Sequence, residues 1–304
     1  TEIYTLSLHD ALPISPITIL LRGGTYVLDE ALVLEPVDSG SAAAPVTWAA
    51  YPGETPVLSG GRAVEGLRPD ADGAWSVRLP EVASGAWTFR QLFVRRAGQT
   101  WSERRYRPSL GAFVIAGLTD APAREGMGHR RSQDEFRFSP GDIQAWDNLD
   151  DVEVVALHDW SASRRRIREI DLDQHIVRFT GFPVYRIGHW WKHGRNPYYC
   201  ENVKETFGRP GEWYLDRPSG MLRYMPMPGE EPGNTVVTAP ATGQLVVLRG
   251  DAEAGQYVEY VAFQGLVLEH RSEEHTAEIQ SPNTNSYAAF RLKKKRKRKE
   301  EHNR

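Results

Sequence analysis

The chain has 304 residues, 40% hydrophobic and 25% charged, with a mean hydropathy of −0.50. That composition excludes a mostly disordered polymer, no apolar run nears the roughly 18 residues of a membrane helix, and one cysteine, Cys200, excludes an intramolecular disulfide framework. The 27 glycines, 20 prolines and 31 aromatic residues (9 Trp, 12 Tyr, 10 Phe) favour turns and β-structure over a helical bundle.

The formal net charge of −3 is unevenly spread. Thr1 to Ile14, TEIYTLSLHDALPI, looks like an in-frame translation of a short-read sequencing adapter. Arg271 to Ser281, RSEEHTAEIQS, resembles the adapter from the opposite end of such a library, and the run KKKRKRK at 293–299 fits translated poly-A-like sequence. Residues 1–15 and 271–304 are therefore expected to be artefacts, and residues 1–14 and 272–304 to add no packed core, with Leu6, Leu8 and Leu12 unburied. On that reading the native start, any signal peptide and the native end are missing. Residues 271–304 carry ten Lys and Arg against five Asp and Glu, and residues 1–15 carry only Glu2 and Asp10, which leaves the body between them at −6. An acidic body argues against a phosphate-backbone footprint, so no nucleic-acid partner is expected, and no membrane partner either.

Residues 16–66 read as short strands cut by turns. Ile17 to Leu21 is a near-continuous apolar run ended by Arg22-Gly23-Gly24, followed by runs at Tyr26–Leu28 and Ala31–Leu34. Val46 to Ala50 ends at Tyr51-Pro52-Gly53, and Val57-Leu58 ends at Ser59-Gly60-Gly61. Runs without strict alternation suit strands stacked on both edges, and no 3.6-residue period crosses the stretch. Residues 67–238 are richer in charge and aromatics and read as an inserted antiparallel β-rich module. Val152–Leu157, Ile167–Leu172 and Ile176–Phe179 read as strands, Trp213–Asp216 and Met221–Tyr224 as a hairpin with positive φ at Gly220, and Glu201–Phe207 as one or two helical turns. Residues 239–270 return to the first texture in Gln244–Leu248 and Tyr257–Leu268, the latter broken at Gly265. A rung of this kind cannot bury its apolar face without neighbours above and below.

The opening LLRGGTYVLDEALVLEP…APVTWAAYPGETPVLSGG resembles the first rungs of bacterial right-handed parallel β-helix proteins. The stretch IGHWWKHGRNPYYCENVKETFGRPGEWYLDRPSGMLRYMPMPGE is similar to the insertion domain of glycoside hydrolase family 141, and its EWYLD…SG…L.Y.P portion is the more specific part. The resemblance covers nearly all of Pro16 to His270; it departs around Arg95 to Pro108, where a tighter Asn-Gly turn is the family's pattern. It implies an all-β fold: a truncated right-handed parallel β-helix carrying an inserted antiparallel module. It implies a bacterial enzyme, secreted or periplasmic, acting on plant polysaccharide, in a family associated with removing fucose from complex pectin and with xylan cleavage. The family's acid and base carboxylates lie on later rungs, beyond residue 270, so no catalytic residue is carried over and the fragment is expected to be inactive.

Glycoside hydrolysis needs two carboxylates about 5–10 Å apart, one kept protonated. Asp159, Glu201, Glu212 and Asp216 are the candidates in the module, but nothing pairs them, and each also reads as a turn, helix-start or exposed strand residue. His189 and His193 stand at i and i+4, yet the first is not followed by Glu and the flanking Gly188, Gly194 and Asn196-Pro197 read as loop, so no metal is assigned. Trp190, Trp191, Tyr198 and Tyr199 are the substrate-binding candidates, because flat amphipathic rings stack on sugar faces; they serve equally to cap the module's own core. Cys200 reads as a buried small hydrophobe. Arg164-Arg165-Arg166 reads as a solvated strand end or turn, with an acidic uronic polymer as the other possibility. No nucleophile elbow or phosphate loop is present and no cofactor is expected. The expected partner is a polysaccharide or oligosaccharide. The rival functions are a polysaccharide lyase and a non-catalytic carbohydrate-binding or adhesion protein.

Overall fold

The computed structural model describes residues 13–104, 107–121, 124–125, 131–158, 162–183, 187 and 195–272. The terminal segments, Leu6, Leu8 and Leu12 among them, lie mostly outside the described residues; Ile14, at their border, is fully exposed. The described chain is nearly all β, its helical elements being Pro80–Ala83 and three single 3-10 turns.

The opening runs form strands Ile17–Leu21, Gly24–Val27 and Leu32–Leu34, and the chain then repeats with Val46–Ala50 and Pro56–Ser59. The repeat stacks in parallel, with Ile17 opposite Val46 and Gly24 opposite Pro56. Val261–Gln264 extends the first ladder, Val267–Glu269 the second, and Val246–Leu248 pairs in parallel with Leu32–Leu34. Each ladder thus takes one strand from each successive coil of chain. Inside the coils Leu21, Leu34, Val46, Trp48 and Leu58 are buried and pack with Ile17, Ile19, Tyr26, Leu248 and Val261. Trp48 and Phe263, register partners on neighbouring coils, stack at 6.4 Å between ring centroids. Like side chains meet vertically because parallel strands lie about 4.8 Å apart.

Between Ser59 and Val246 the chain leaves the coils, at the corner that Leu28–Ala31 turns directly in the first coil. The departing strand Gly61–Ala63 pairs antiparallel with the returning strand Thr235–Pro240. The approach is close: a Cβ on Gly61 would lie 2.4 Å from Thr238 Cγ2 and 2.7 Å from His270 Cβ. Leu92–Arg96 and Ser102–Arg104 complete this four-stranded sheet. A second four-stranded sheet contains the hairpin Trp213–Asp216 and Met221–Tyr224, with Trp75–Arg78 and Arg68–Pro69. Trp75, Trp87, Phe89, Leu92, Trp213 and Leu222 fill the core the two sheets share.

The third antiparallel unit is a six-stranded sheet in the order Ser109–Val114, Pro197–Glu201, Glu153–Leu157, Ala162–Asp171, Ile176–Phe179, Glu135–Arg137. One face buries Phe136, Val154, Ala156, Ile167, Val177, Phe179, Tyr198 and Cys200. The expected strands are present, but Ala162–Asp171 begins five residues before Ile167. The arginine run is therefore inside a ten-residue strand and not at a strand end or turn, a correction to the sequence reading. The expected helix at Glu201–Phe207 is reduced to a single 3-10 turn at Lys204–Thr206, because Glu201 closes a strand and Asn202 takes positive φ.

Candidate functional site

Strand alternation decides the outer face of the six-stranded sheet. In Pro197–Glu201 the side chains of Tyr198 and Cys200 point into the core, while Pro197, Tyr199 and Glu201 point outward. Tyr198 is fully buried, edge-on to Phe136 at 4.9 Å, and its hydroxyl donates to Asp142 Oδ2 at 2.8 Å. Burial and the Asp142 carboxylate raise its phenol well above the usual range. Burial pushes the Cys200 thiol up to about 12, which removes thiolate chemistry at neutral pH. Tyr199 is half-buried on the outer face, opposite Val155, with Arg164 and Glu201 beside it. Trp190, Trp191, His189, His193 and Asp159 lie outside the described residues. The four aromatic candidates therefore do not act as one set: Tyr198 is closed off in the core and Tyr199 keeps an open face.

The same alternation splits the arginine run. Arg165 turns to the core side and donates from Nε and Nη2 to the Phe182 carbonyl at 3.1 and 2.6 Å. Arg164 and Arg166 share the outer face with Tyr199, Glu201 and Glu153, since Val155 is opposite Arg164 and Glu153 is opposite both Arg166 and Glu201. Glu153 was missed in the sequence reading, although a lone charge inside the run Val-Glu-Val-Val is a legible signal. Its side chain is 3% exposed and gathers three guanidinium groups. Arg90 donates from Nε and Nη2 to Oε1, both at 2.9 Å; Arg107 reaches Oε2 at 2.6 Å and Arg164 at 3.4 Å. Arg164 also pairs with Glu201, and Arg107 lies 3.9 Å from it. Arg107 stands over the Trp213 ring at 5.5 Å, so this ionic seam joins the six-stranded sheet to the core of the two four-stranded ones.

The seam fixes the protonation of Glu153. Burial favours the neutral form of Glu153, but Arg107, Arg90 and Arg164 overcome it and hold the carboxyl far below the usual carboxylate range. A general acid needs the opposite shift. Glu212 is spent on the backbone N–H groups of Gly208 and Arg209, at 3.0 and 2.9 Å, and Asp216 accepts from the Ser219 N–H at 3.3 Å in the hairpin loop. These carboxylates are engaged with arginines and backbone amides of the fold.

A Ser-His-Asn constellation also lies at this end of the sheet. His158 Nε2 is 2.8 Å from Ser163 Oγ, and Asn196 Nδ2 is 3.3 Å from His158 Nδ1. The Asn196 amide donates to the Leu157 carbonyl at 2.7 Å, which identifies Nδ2 as the nitrogen facing His158. His158 Nδ1 must then accept, so Nε2 carries the proton and donates to Ser163. In that tautomer Nε2 has no free lone pair with which to take the serine proton.

No family model matches the chain, and no curated protein does. A solved structure described as "Glycoside hydrolase" is similar over 85% of this chain, with a TM-score of 0.62 and 24% identity. The chain spans 44% of that structure's chain. At this identity the likeness shows a shared fold.

Proposed function

We propose that the chain belongs to a carbohydrate-active protein of the right-handed parallel β-helix class, a glycoside hydrolase of the family 141 type acting on plant polysaccharide outside the cytoplasm. The observation that carries the reading is the likeness of 85% of the chain to a glycoside hydrolase. The three parallel ladders, interrupted by one antiparallel excursion at a single corner, support it. We further read residues 1–15 and 271–304 as translated adapter, which long-read sequencing of the source locus across both junctions checks. Glu153, Glu201, Glu212 and Asp216 are committed to arginines and backbone amides, so we assign to these residues the holding of the fold and not the cutting of a glycan. Tyr199, together with Trp190 and Trp191 earlier in the sequence, is the stacking surface of that reading.

The same commitment of carboxylates favours a second reading, a non-catalytic carbohydrate-binding protein. Affinity electrophoresis of the chain through gels containing pectin, xylan or neutral galactan tests both, with reducing-sugar release measured in parallel. Retardation by a plant polysaccharide, lost in Tyr199→Ala, is the expected result. Retardation by none of them overturns the carbohydrate reading. Reducing sugar released by the chain itself, and abolished by Glu201→Gln, overturns the assignment of these residues to holding.

A further inference from the structure

The ionic seam is not neutral. Glu153 and Glu201 are taken up by Arg90, Arg107 and Arg164, and Asp151 is taken up by Arg217 through Nε and the backbone N–H. Arg166 stands opposite Glu153 in the sheet register, yet among the described residues its guanidinium has no hydrogen-bond or ion-pair partner, because both Glu153 oxygens are already occupied. Five arginines thus face three carboxylates, and part of the surplus falls on Arg166, opposite the Glu153 that Arg90 occupies and near the Arg217–Asp151 pair. The Arg90, Arg166 and Arg217 side chains are partly open to solvent. Burial, the Arg217 charge and the Arg90 charge all work against the ionised form of Arg166, while Glu153 and Asp151 only partly compensate. A strand that needed only a solvated residue here would be better served by an uncharged one.

We propose that Arg166, with Arg90 and Arg217 nearby, is an anion subsite that receives the carboxylate of an acidic sugar residue. The inference rests on the carbohydrate reading above and deepens it. A guanidinium presents two parallel N–H donors that match a carboxylate in fork geometry, and the bound anion would offset one of the two surplus positive charges. The sugar source is favoured by Tyr199, which shares the outer face. In the sheet register Tyr199 is two residues along and two strands across from Arg166, about 7 Å by 10 Å. An oligosaccharide bridges that separation with one ring on Tyr199 and one carboxylate on Arg166; a free inorganic anion does not.

The test is isothermal titration of the chain and of Arg166→Gln with trigalacturonate, a neutral galacto-oligosaccharide of the same length, and inorganic sulfate, with the melting temperature of both proteins. Expected is trigalacturonate binding that weakens at least tenfold in R166Q and falls with salt, while R166Q melts at the same or a higher temperature because a repulsive charge is gone. A merely structural arginine would give the reverse, a lower melting temperature with unchanged binding, and that overturns the proposal. Arg166-dependent binding of sulfate without trigalacturonate also overturns it, since the source is then not a sugar. Binding of the neutral oligosaccharide alone removes this subsite and leaves the carbohydrate reading standing; binding of no glycan at all removes both.

Discussion

Replacing Glu153 by Gln keeps the side-chain volume and removes one charge from between three guanidinium groups. The consequences differ for each. Arg90 has 37% of its side chain exposed and rehydrates, and Arg164 keeps Glu201. Arg107 is 8% exposed, its Nε already lacks a partner, and it retains only Glu201 at 3.9 Å. The cost therefore concentrates on Arg107, a buried cation left without its main counter-charge, and should be about 3–5 kcal/mol. With a urea slope near 3 kcal/mol per molar, the unfolding midpoint of E153Q falls by about 1 M or more. Adding Arg107→Met to E153Q removes the orphaned cation and restores more than half of the loss. The pH dependence has a definite sign. The Glu153 carboxyl is held below its unfolded value, so its contribution is fully present above about pH 4.3 and is lost as pH falls below it. The gap between wild type and E153Q must therefore be largest at neutral pH and narrow on acidification. Urea titrations followed by tryptophan fluorescence at pH 7 and pH 3.5 measure both effects. A midpoint shift of only a tenth or so of that size at pH 7, or a gap that widens in acid, would refute the seam as a load on the fold.

His270 packs where the chain leaves the coils after Ser59, with its Nδ1 2.9 Å from Ser59 Oγ and its ring edge-on to Trp101 at 4.5 Å and Phe93 at 4.8 Å. Burial, aided by the Arg95 charge, pulls its pKa down to about 4, so the fold prefers neutral imidazole. Protonation then favours the unfolded chain, and up to about 3 kcal/mol of stability is lost between pH 6.5 and 4; melting curves of His270→Gln should lack this step. Tyr198→Phe removes the hydroxyl bond to Asp142 and should cost about 1 kcal/mol in denaturant titration while leaving glycan retardation unchanged, the opposite of Tyr199→Ala. Gly61→Ala drives a methyl against Thr238 and His270 and should destabilise by about 1–3 kcal/mol, visible as faster amide exchange in Thr235–Pro240.

The parts of this fold that were legible in the sequence are those whose signal is local. The apolar runs at Ile17–Leu21 and Val46–Ala50 match strands residue for residue, and the hairpin Trp213–Tyr224 follows from two β-forming runs around a loop whose Gly220 takes φ 71°. The break expected at Gly265 separates two strands, with φ 68° at the glycine. The parts that were not legible depend on register between distant segments. Tyr198 and Tyr199 are adjacent and of one type, and only the pairing of Pro197–Glu201 with Glu153–Leu157 decides which ring is buried. A slip of one residue would exchange them. The same pairing brings Glu201 opposite Glu153, a juxtaposition of like charges that is destabilising by itself and stands only because Arg107 and Arg164 reach between them. Those arginines come from segments roughly 50 and 10 residues away in the chain, so no window centred on Glu153 contains the seam. Arg166 is the residue at which this arithmetic fails to close. Its neighbours Arg164 and Arg165 each find an acceptor, on opposite faces of one strand, and Arg166 finds none among the described residues. An unpaired charge in a seam whose other arginines are all paired is the kind of local conflict that a folded protein retains where a ligand completes it.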